Sequence, residues 1–316
     1  MSVIYKGNII ESNLSVRANG GTEQMRTKLI RDVGIDALSR VAIHLSRVRN
    51  KEGLNDVFTD VPNILWCHDL AEDTENRILE NGGWNKFICL VFVSAWQRDT
   101  YIERYKIPYA KCFVIENYVD AAEDPLDKSG DEIRMVYHTT PHRGLALLYH
   151  VFDALCQHDL YKGKLHLDVF SSFEIYGWKE RDKQFEPLYE KLRAHPNITY
   201  HGTRPNSEVR KHLARAHFFP YPCIWKETSC LALMEAIEHK VLAVHPNYGA
   251  LTETAGSNTF IYNYIDDLET HMNHFYTTIL FAMNHRLDKS FSINTNYRNQ
   301  QLSFSRRWLQ LLKAIP

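Results

Sequence analysis

Short apolar runs alternate with amphipathic segments twice along this chain, and that alternation constrains the fold more than any other feature. "VAIHL" (41–45), "NILWC" (63–67), "FICLVFVS" (87–94) and "CFVIE" (112–116) read as buried strands, with helical spacing near 22–38, 72–80 and 95–105. After a polar, acid-rich stretch, "VDAAEDPLDKSGDE" (119–132), the pattern restarts. Strands are predicted at 133–139, 165–172, 198–202, 217–222 and 241–246, and helices at 143–157, 179–194, 206–216, 229–239 and 265–284. Continuous apolar strands alternating with helices predict mostly parallel sheets covered on both faces, an α/β class. A chain of 316 residues exceeds the usual single domain. The expected division is therefore a first domain at 1–120, a linker at 121–132, a second domain at 133–290 and a terminal segment at 291–316. Two doubly wound domains imply a cleft, with ligands bound beyond the carboxyl ends of strands.

Composition excludes several classes. A formal charge of -1 gives no global pull toward nucleic acid or anionic membrane. The local cluster Arg40, Arg47, Arg49 and Lys51 reads as a solvated edge. No apolar run approaches the roughly 18 residues that span a bilayer, and the amino terminus lacks a signal-peptide pattern. The six cysteines show no CxxC pairing and several lie in apolar runs, so a reduced, cytoplasmic protein without zinc is expected.

"KETSCLALMEAIE" (226–238) carries the most chemistry. A strand, a loop and a helix meet here, at the place where such folds bind ligands. Thr228 or Ser229 is expected to cap the helix. The unpaired N–H groups around Ser229, Cys230 and Leu231, with the helix dipole, make an anion site suited to a diphosphate. Glu227 and Glu235 stand eight residues apart, about 12 Å along a helix. Two carboxylates so spaced could grip hydroxyls at both ends of a nucleotide sugar.

"PYPCIWKETSCLALMEAIEHK" resembles the EX7E signature of retaining glycosyltransferases of the GT-B fold, which has two Rossmann-like doubly wound domains facing a cleft, and it is most similar to family GT4. The resemblance implies that Glu227 lies against the donor sugar and Glu235 holds the ribose. Further segments match in order. "NGGTEQM" (19–25) resembles the family's glycine loop, where Gly20 and Gly21 let amides approach phosphate. "ILWCHD" (64–69) puts His68 where the family has a histidine beside the donor sugar, though a histidine there also reads as a hydrogen-bonded structural one. Segment 93–120 resembles the close of the first domain and brings in Asn117, a turn residue by itself. "MVYHTTPHRGLALLYHVFDAL" (135–155) places Arg143 at the phosphates, and "ITYHGTRPNSEV" (198–209) places Gly202, Thr203 and Arg204 at the nucleobase. Segment 245–256 resembles the family's segment after the EX7E helix, and "SFSRRWLQLLK" (303–313) its terminal helix, which crosses back to the first domain. Trp66 and Trp225 read either as sugar-stacking or as packing residues, and Asp69 has no assigned role.

The chain departs from the family in having only Arg143 at the phosphates, with His138 and His142 the nearest other candidates. The implied reaction moves a sugar, with retention, from a nucleoside-diphosphate sugar (UDP- or GDP-sugar favoured) to a hydroxyl acceptor on a glycan, lipid or small molecule. Nucleic acid is a disfavoured acceptor. Arg143, the glycines and the amides at 229–231 would stabilise the departing diphosphate without a metal or other cofactor. A sugar-nucleotide epimerase and a non-catalytic nucleotide-sugar binder are the alternatives. A nicotinamide oxidoreductase is disfavoured because no GxGxxG follows a strand.

Overall fold

The computed structural model describes residues 4–6, 9–11, 20–46, 48, 58, 60–122, 128, 130–257, 259–285 and 301–316. Asn19, Arg47, Arg49, Lys51, most of the central acidic stretch and residues 291–300 lie outside the described residues. The chain forms two compact units, Met1–Tyr118 with Gln300–Pro316, and Val119–Asn299.

The first unit contains β1 (Ile4–Lys6), β2 (Ile9–Glu11), α1 (Gly21–Val33), α2 (Ile35–Leu38), β3 (Ala42–Leu45), β4 (Asn63–Cys67), β5 (Cys89–Phe92), α3 (Ala95–Tyr105) and β6 (Cys112–Val114). Its sheet runs β1-β2-β3-β4-β5-β6, antiparallel between β1 and β2 and parallel elsewhere. Every residue of β3, β4 and β5 is buried, as expected for strands covered on both faces. Ser94 starts α3 by accepting from Gln97 N–H, and Lys106 ends it in the left-handed conformation.

The helix expected at 72–80 forms instead as 3₁₀ turns over Thr74–Lys86, broken at Glu80, Asn81 and Gly82. Asn81 and Gly82 both take positive φ, which an α-helix cannot hold. Next to them Gly83 packs so tightly that a Cβ there would sit 1.8 Å from the Ile78 carbonyl oxygen. Apolar spacing showed the buried face and not the chain reversal.

The second unit contains β7 (Ile133–Tyr137), α4 (Leu145–Gln157), β8 (Leu165–Val169), α5 (Glu186–Ala194), β9 (Ile198–Tyr200), α6 (Asn206–Leu213), β10 (Phe218–Pro220), α7 (Leu231–Glu238), β11 (Leu242–Pro246), α8 (Leu251–Ala255), β12 (Phe260–Tyr262) and α9 (Leu268–His285). All its strands are parallel, in the order β12-β11-β10-β7-β8-β9. This is the doubly wound order, reversing direction between β7 and β10. In sheets of this order ligands bind beyond the carboxyl ends of the two strands at the switch point. In the first unit the described strands follow one another in chain order.

Finally α10 (Gln301–Ala314) belongs to the first unit, where the ring of buried Trp308 lies 5.1 Å from that of buried Trp66. All six cysteines are free and buried. Burial pushes the Cys89 and Cys223 thiols up to about 12, so they behave as small hydrophobes. Among the described residues no helix is long and apolar enough to cross a membrane.

Candidate active site

The switch point of the second unit brings together two of the predicted segments. After β7 the chain passes through a 3₁₀ turn, Pro141–Arg143, and enters α4 at Gly144. Gly144 has φ of 111°, and a Cβ there would lie 2.1 Å from the Pro222 carbonyl oxygen in the β10–α7 loop. Only glycine meets both the conformation and the clearance. This contact sets Arg143 beside the loop that carries Glu227.

Arg143 Nε lies 3.2 Å from Glu227 Oε1. The approach is off the hydrogen-bond direction, leaving Arg143 Nε without a directed acceptor. Tyr221 OH donates to the same Oε1 at 2.5 Å. Glu227 is 6% exposed, so its charge is met by a guanidinium and a phenol in place of water. Burial opposes the Arg143 charge, yet Glu227 beside it holds the guanidinium pKa well above its ordinary value. The backbone of Glu227 is fixed as well. It forms a parallel bridge with Gly249, and its carbonyl accepts from Ala250 N–H at 2.7 Å. A Cβ on Gly249, whose φ is 62°, would come within 2.5 Å of that carbonyl oxygen.

Glu235 sits on α7, 7% exposed. Its Oε1 accepts from Asn206 Nδ2 at 2.8 Å, and Oε2 lies 3.7 Å from His138 Nδ1. Burial, reinforced by nearby His239, lowers the His138 pKa to about 3, so this imidazole is neutral and contributes a dipole rather than a cation. His142 stacks on Phe173 and meets Trp225 edge-on at 4.8 Å. Burial and the charges of Arg143 and Arg181 lower its pKa to about 4. Neither histidine therefore supplies the second positive charge whose place the sequence left open.

Helix α7 begins at Leu231, two residues later than the 229–239 the sequence implied. Cys230 is the N-cap and makes no side-chain cap hydrogen bond, and Met234 N–H to the Cys230 carbonyl is the first helical bond. The expected caps, Thr228 and Ser229, lie in the loop before it. The first-turn N–H groups without an intrahelical partner are accordingly those of Leu231, Ala232 and Leu233, the last of them facing the Cys230 thiol, rather than those around Ser229. The loop before this cap holds the Glu227–Gly249 bridge and a bend at Thr228.

Several buried polar atoms on the loops following β7, β9 and β10 have no hydrogen-bond partner among the described residues. They are His138 Nε2, Thr139 Oγ1, Thr140 Oγ1, His142 Nδ1, Thr203 Oγ1 and Ser229 Oγ. Buried polar atoms are normally satisfied, so a concentration of unsatisfied ones marks a surface built for a polar ligand. Gly202 takes φ of 65° with open space around it, Thr203 follows, and Arg204 reaches Glu208 at 3.5 Å on the exposed side of α6.

Other predicted residues lie in the first unit. Gly20 is the N-cap of α1 and Gly21 its first residue. Gly20 has φ of -75°, a conformation open to any residue. His68 follows β4, its ring 4.6 Å from that of Trp66, and burial lowers its pKa to about 4 against the opposing charge of Asp69. Asp69 has a structural part: Oδ2 accepts from Ser46 Oγ, and its carbonyl accepts from Gln97 and Tyr101. Trp66 packs in the core, whereas Trp225 is 44% exposed. Asn117 is buried, with Oδ1 unpartnered among the described residues. Sequence reasoning missed Tyr221, Gly249 and Asn206. Tyrosine before proline in a strand end gives no signal for a carboxylate partner, and Gly249 and Asn206 reach the acids only through tertiary folding.

The family model for glycosyl transferases group 1 matches residues 120–277, half of the chain. The chain belongs to this family and is a glycosyltransferase with two α/β units of the GT-B class. Among solved structures it is similar to a glycosyltransferase from Rickettsia africae ESF-5, at 14% identity and a TM-score of 0.65, over 93% of this chain and 80% of that one. It is also similar to Anabaena Alr3699/HepE in complex with UDP and glucose, at 14% identity and 0.66, over 93% and 83%. A third is the pneumococcal O-GlcNAc transferase GtfA in complex with UDP and GlcNAc, at 12% identity and 0.62, where the match covers 87% of this chain and 56% of that one. At these identities the likeness is one of fold. No curated protein matches the sequence.

Proposed function

We propose that this glycosyltransferase moves a sugar, with retention, from a UDP-sugar to a hydroxyl acceptor, and that Glu227 and Glu235 are the acid pair of an EX7E motif of the GT4 type. One observation carries the reading: a buried Glu227 held between Tyr221 and Arg143, on the loop that follows β10 at the switch point of the sheet. Arg143 Nε faces the carboxylate, and the terminal nitrogens of its planar fork are the natural partners of a diphosphate. The first-turn N–H groups of α7 add a second set of donors.

As the bond between sugar and diphosphate breaks, negative charge grows on the phosphate and positive charge on the anomeric carbon. Arg143 and the α7 amides stabilise the first, and Glu227 stabilises the second. Because Arg143 and Glu227 already compensate one another, the site is charged before substrate arrives and needs little reorganisation. Retention follows when the acceptor hydroxyl attacks from the face the diphosphate leaves, giving its proton to the departing phosphate oxygen. Glu235, oriented by Asn206, is assigned to the ribose hydroxyls, and Gly202 with Thr203 and Arg204 to the nucleobase. The roles of His68, Gly20 and Gly21 rest on the resemblance alone. UDP is preferred over GDP because UDP is the nucleotide bound to the HepE and GtfA structures. Family membership as a transferase sets the epimerase and binder readings behind this one.

A thermal-shift screen of UDP-, GDP-, ADP- and dTDP-sugars tests the donor, since a ligand bound only by the folded state raises its stability. NMR of the anomeric configuration after transfer to an acceptor panel tests retention. Stabilisation by UDP-sugars and a product of unchanged anomeric configuration are expected. An inverted product would overturn the mechanism.

A further inference from the structure

Away from the switch point, the β8–β9 edge of the second unit holds a cluster that the transfer reaction does not use. Asp168 on β8 receives His201 Nε2 at 2.7 Å on Oδ1 and His212 Nδ1 at 3.0 Å on Oδ2. The three donor atoms lie within 4.8 Å of one another. His166, on the same strand face as Asp168, brings Nε2 to 3.7 Å from Oδ1. These side chains come from three elements, β8, the end of β9 and α6, packed on one face of the sheet. Phe170 stacks flat on His201 at 4.2 Å and meets His212 edge-on at 5.0 Å, so both rings are held in place.

We propose that Asp168, His201 and His212 bind a divalent transition metal of the zinc class. Zinc takes imidazole nitrogens and carboxylate oxygens at about 2.0–2.2 Å, in tetrahedral geometry. In the metal-free form the carboxylate accepts a proton-bearing nitrogen from each ring. On binding, the two nitrogens present lone pairs to one cation, with the protons on the opposite ring nitrogens. Small shifts of side chains already in mutual contact achieve this. His166 Nε2 lies 3.2 Å from Thr199 Oγ1 and outside the three-residue cluster, which leaves the fourth position to water. Two imidazoles with a single carboxylate select against Mg²⁺ and Ca²⁺, which require oxygen donors. Arg215 Nη2 lies 3.2 Å from both ring nitrogens of His212. Equal distances put the guanidinium against the ring rather than on one lone pair, so it leaves Nδ1 directed at Asp168. Its charge weakens the site without closing it. The metal ties α6 and the turn after β9 to the body of the sheet, a structural role.

The test uses the full chain, stripped with EDTA and titrated with ZnCl₂ in calorimetry, and with CoCl₂ by visible absorption. One equivalent of zinc, a tetrahedral cobalt spectrum and a raised melting temperature are expected. Asp168→Asn and His212→Gln keep shape and should each weaken zinc binding by more than about tenfold, since even outer-shell partners of a metal ligand contribute that much. X-ray absorption on the zinc-loaded wild type keeps the proposal testable should both variants fail to fold, and at least two imidazole ligands are expected. No stoichiometric binding by the wild type, sulfur ligation, or variants that fold and bind zinc as tightly as wild type would each overturn the site.

Discussion

Arg143 Nε stands 3.2 Å from Glu227 Oε1, the arginine half-buried and the glutamate buried, each the other's charge partner before any substrate is present. The same arginine is assigned to the departing diphosphate. Arg143→Ala should therefore weaken binding of UDP by about 1.5–3 kcal/mol, the range for charge-assisted hydrogen bonds. Calorimetry on the folded variant checks this. Unchanged affinity would take Arg143 out of the site.

Gly249→Ala should disable the enzyme although residue 249 touches no reacting group. Its Cβ would overlap the Glu227 backbone at 2.5 Å from O and 2.7 Å from N, at a φ of 62°. The strain costs about 1–3 kcal/mol and is relieved by shifting Glu227. Gly163→Ala is the control, with φ of 75° and open space around it, and should cost about 1–2 kcal/mol of stability with normal kcat. Equal kcat for both variants, measured beside their urea midpoints, would mean that the Gly249 contact does not set Glu227.

Stability should fall as the solution is acidified below neutrality. Burial lowers the pKa of His138 to about 3 and that of His245 to about 4, from an ordinary 6.5. Their folded values lie below the unfolded one, so the unfolded chain takes up protons that the native state refuses. The stabilisation is complete above pH 6.5 and is lost as pH falls toward 4, at up to about 1.4 kcal/mol per pH unit for each histidine. His245 Nδ1 faces the Pro246 carbonyl and Nε2 faces Thr259 Oγ1, an arrangement that fits the neutral ring. Urea unfolding between pH 7 and 5 should show this slope, reduced in His245→Gln. A flat profile would contradict the neutral burial.

Chelation separates the chemistry from the proposed metal. The diphosphate site proposed here consists of an arginine and helix amides, so EDTA should leave turnover unchanged well below the melting temperature. The melting temperature itself should drop if zinc was bound at Asp168, His201 and His212. Loss of turnover restored by Mg²⁺ would contradict a metal-free transfer step.

The central strands of both sheets were legible because fully buried parallel strands appear in sequence as continuous apolar runs. β1, β2, α8 and β12 were missed: each is short, and unlike the three-residue β6, β9 and β10 none was singled out as an apolar run. Glu227, Arg143 and Glu235 stood out by their spacing near glycine turns and a helix start. What spacing could not show was the cap of α7, which follows the loop holding the Glu227–Gly249 bridge, or the partners Tyr221 and Asn206. The Asp168 cluster escaped notice for a related reason. Its residues are separated by 33 and 11 positions, no metal-ligand spacing, and meet only because β8 and β9 are neighbours beneath α6.

Glu227 and Glu235 are assigned different tasks, and steady-state kinetics with a UDP-sugar separates them. On the proposed assignment Glu235 contacts the ribose before and during reaction alike, so Glu235→Ala should mainly raise the donor KM. On the same assignment Glu227 faces the carbon on which positive charge develops. Glu227→Gln keeps its shape and its partner Tyr221 but loses the charge, and should lower kcat by on the order of 10²-fold or more. A folded Glu227→Gln enzyme with near-wild-type kcat would contradict the catalytic assignment, whatever Glu235→Ala does.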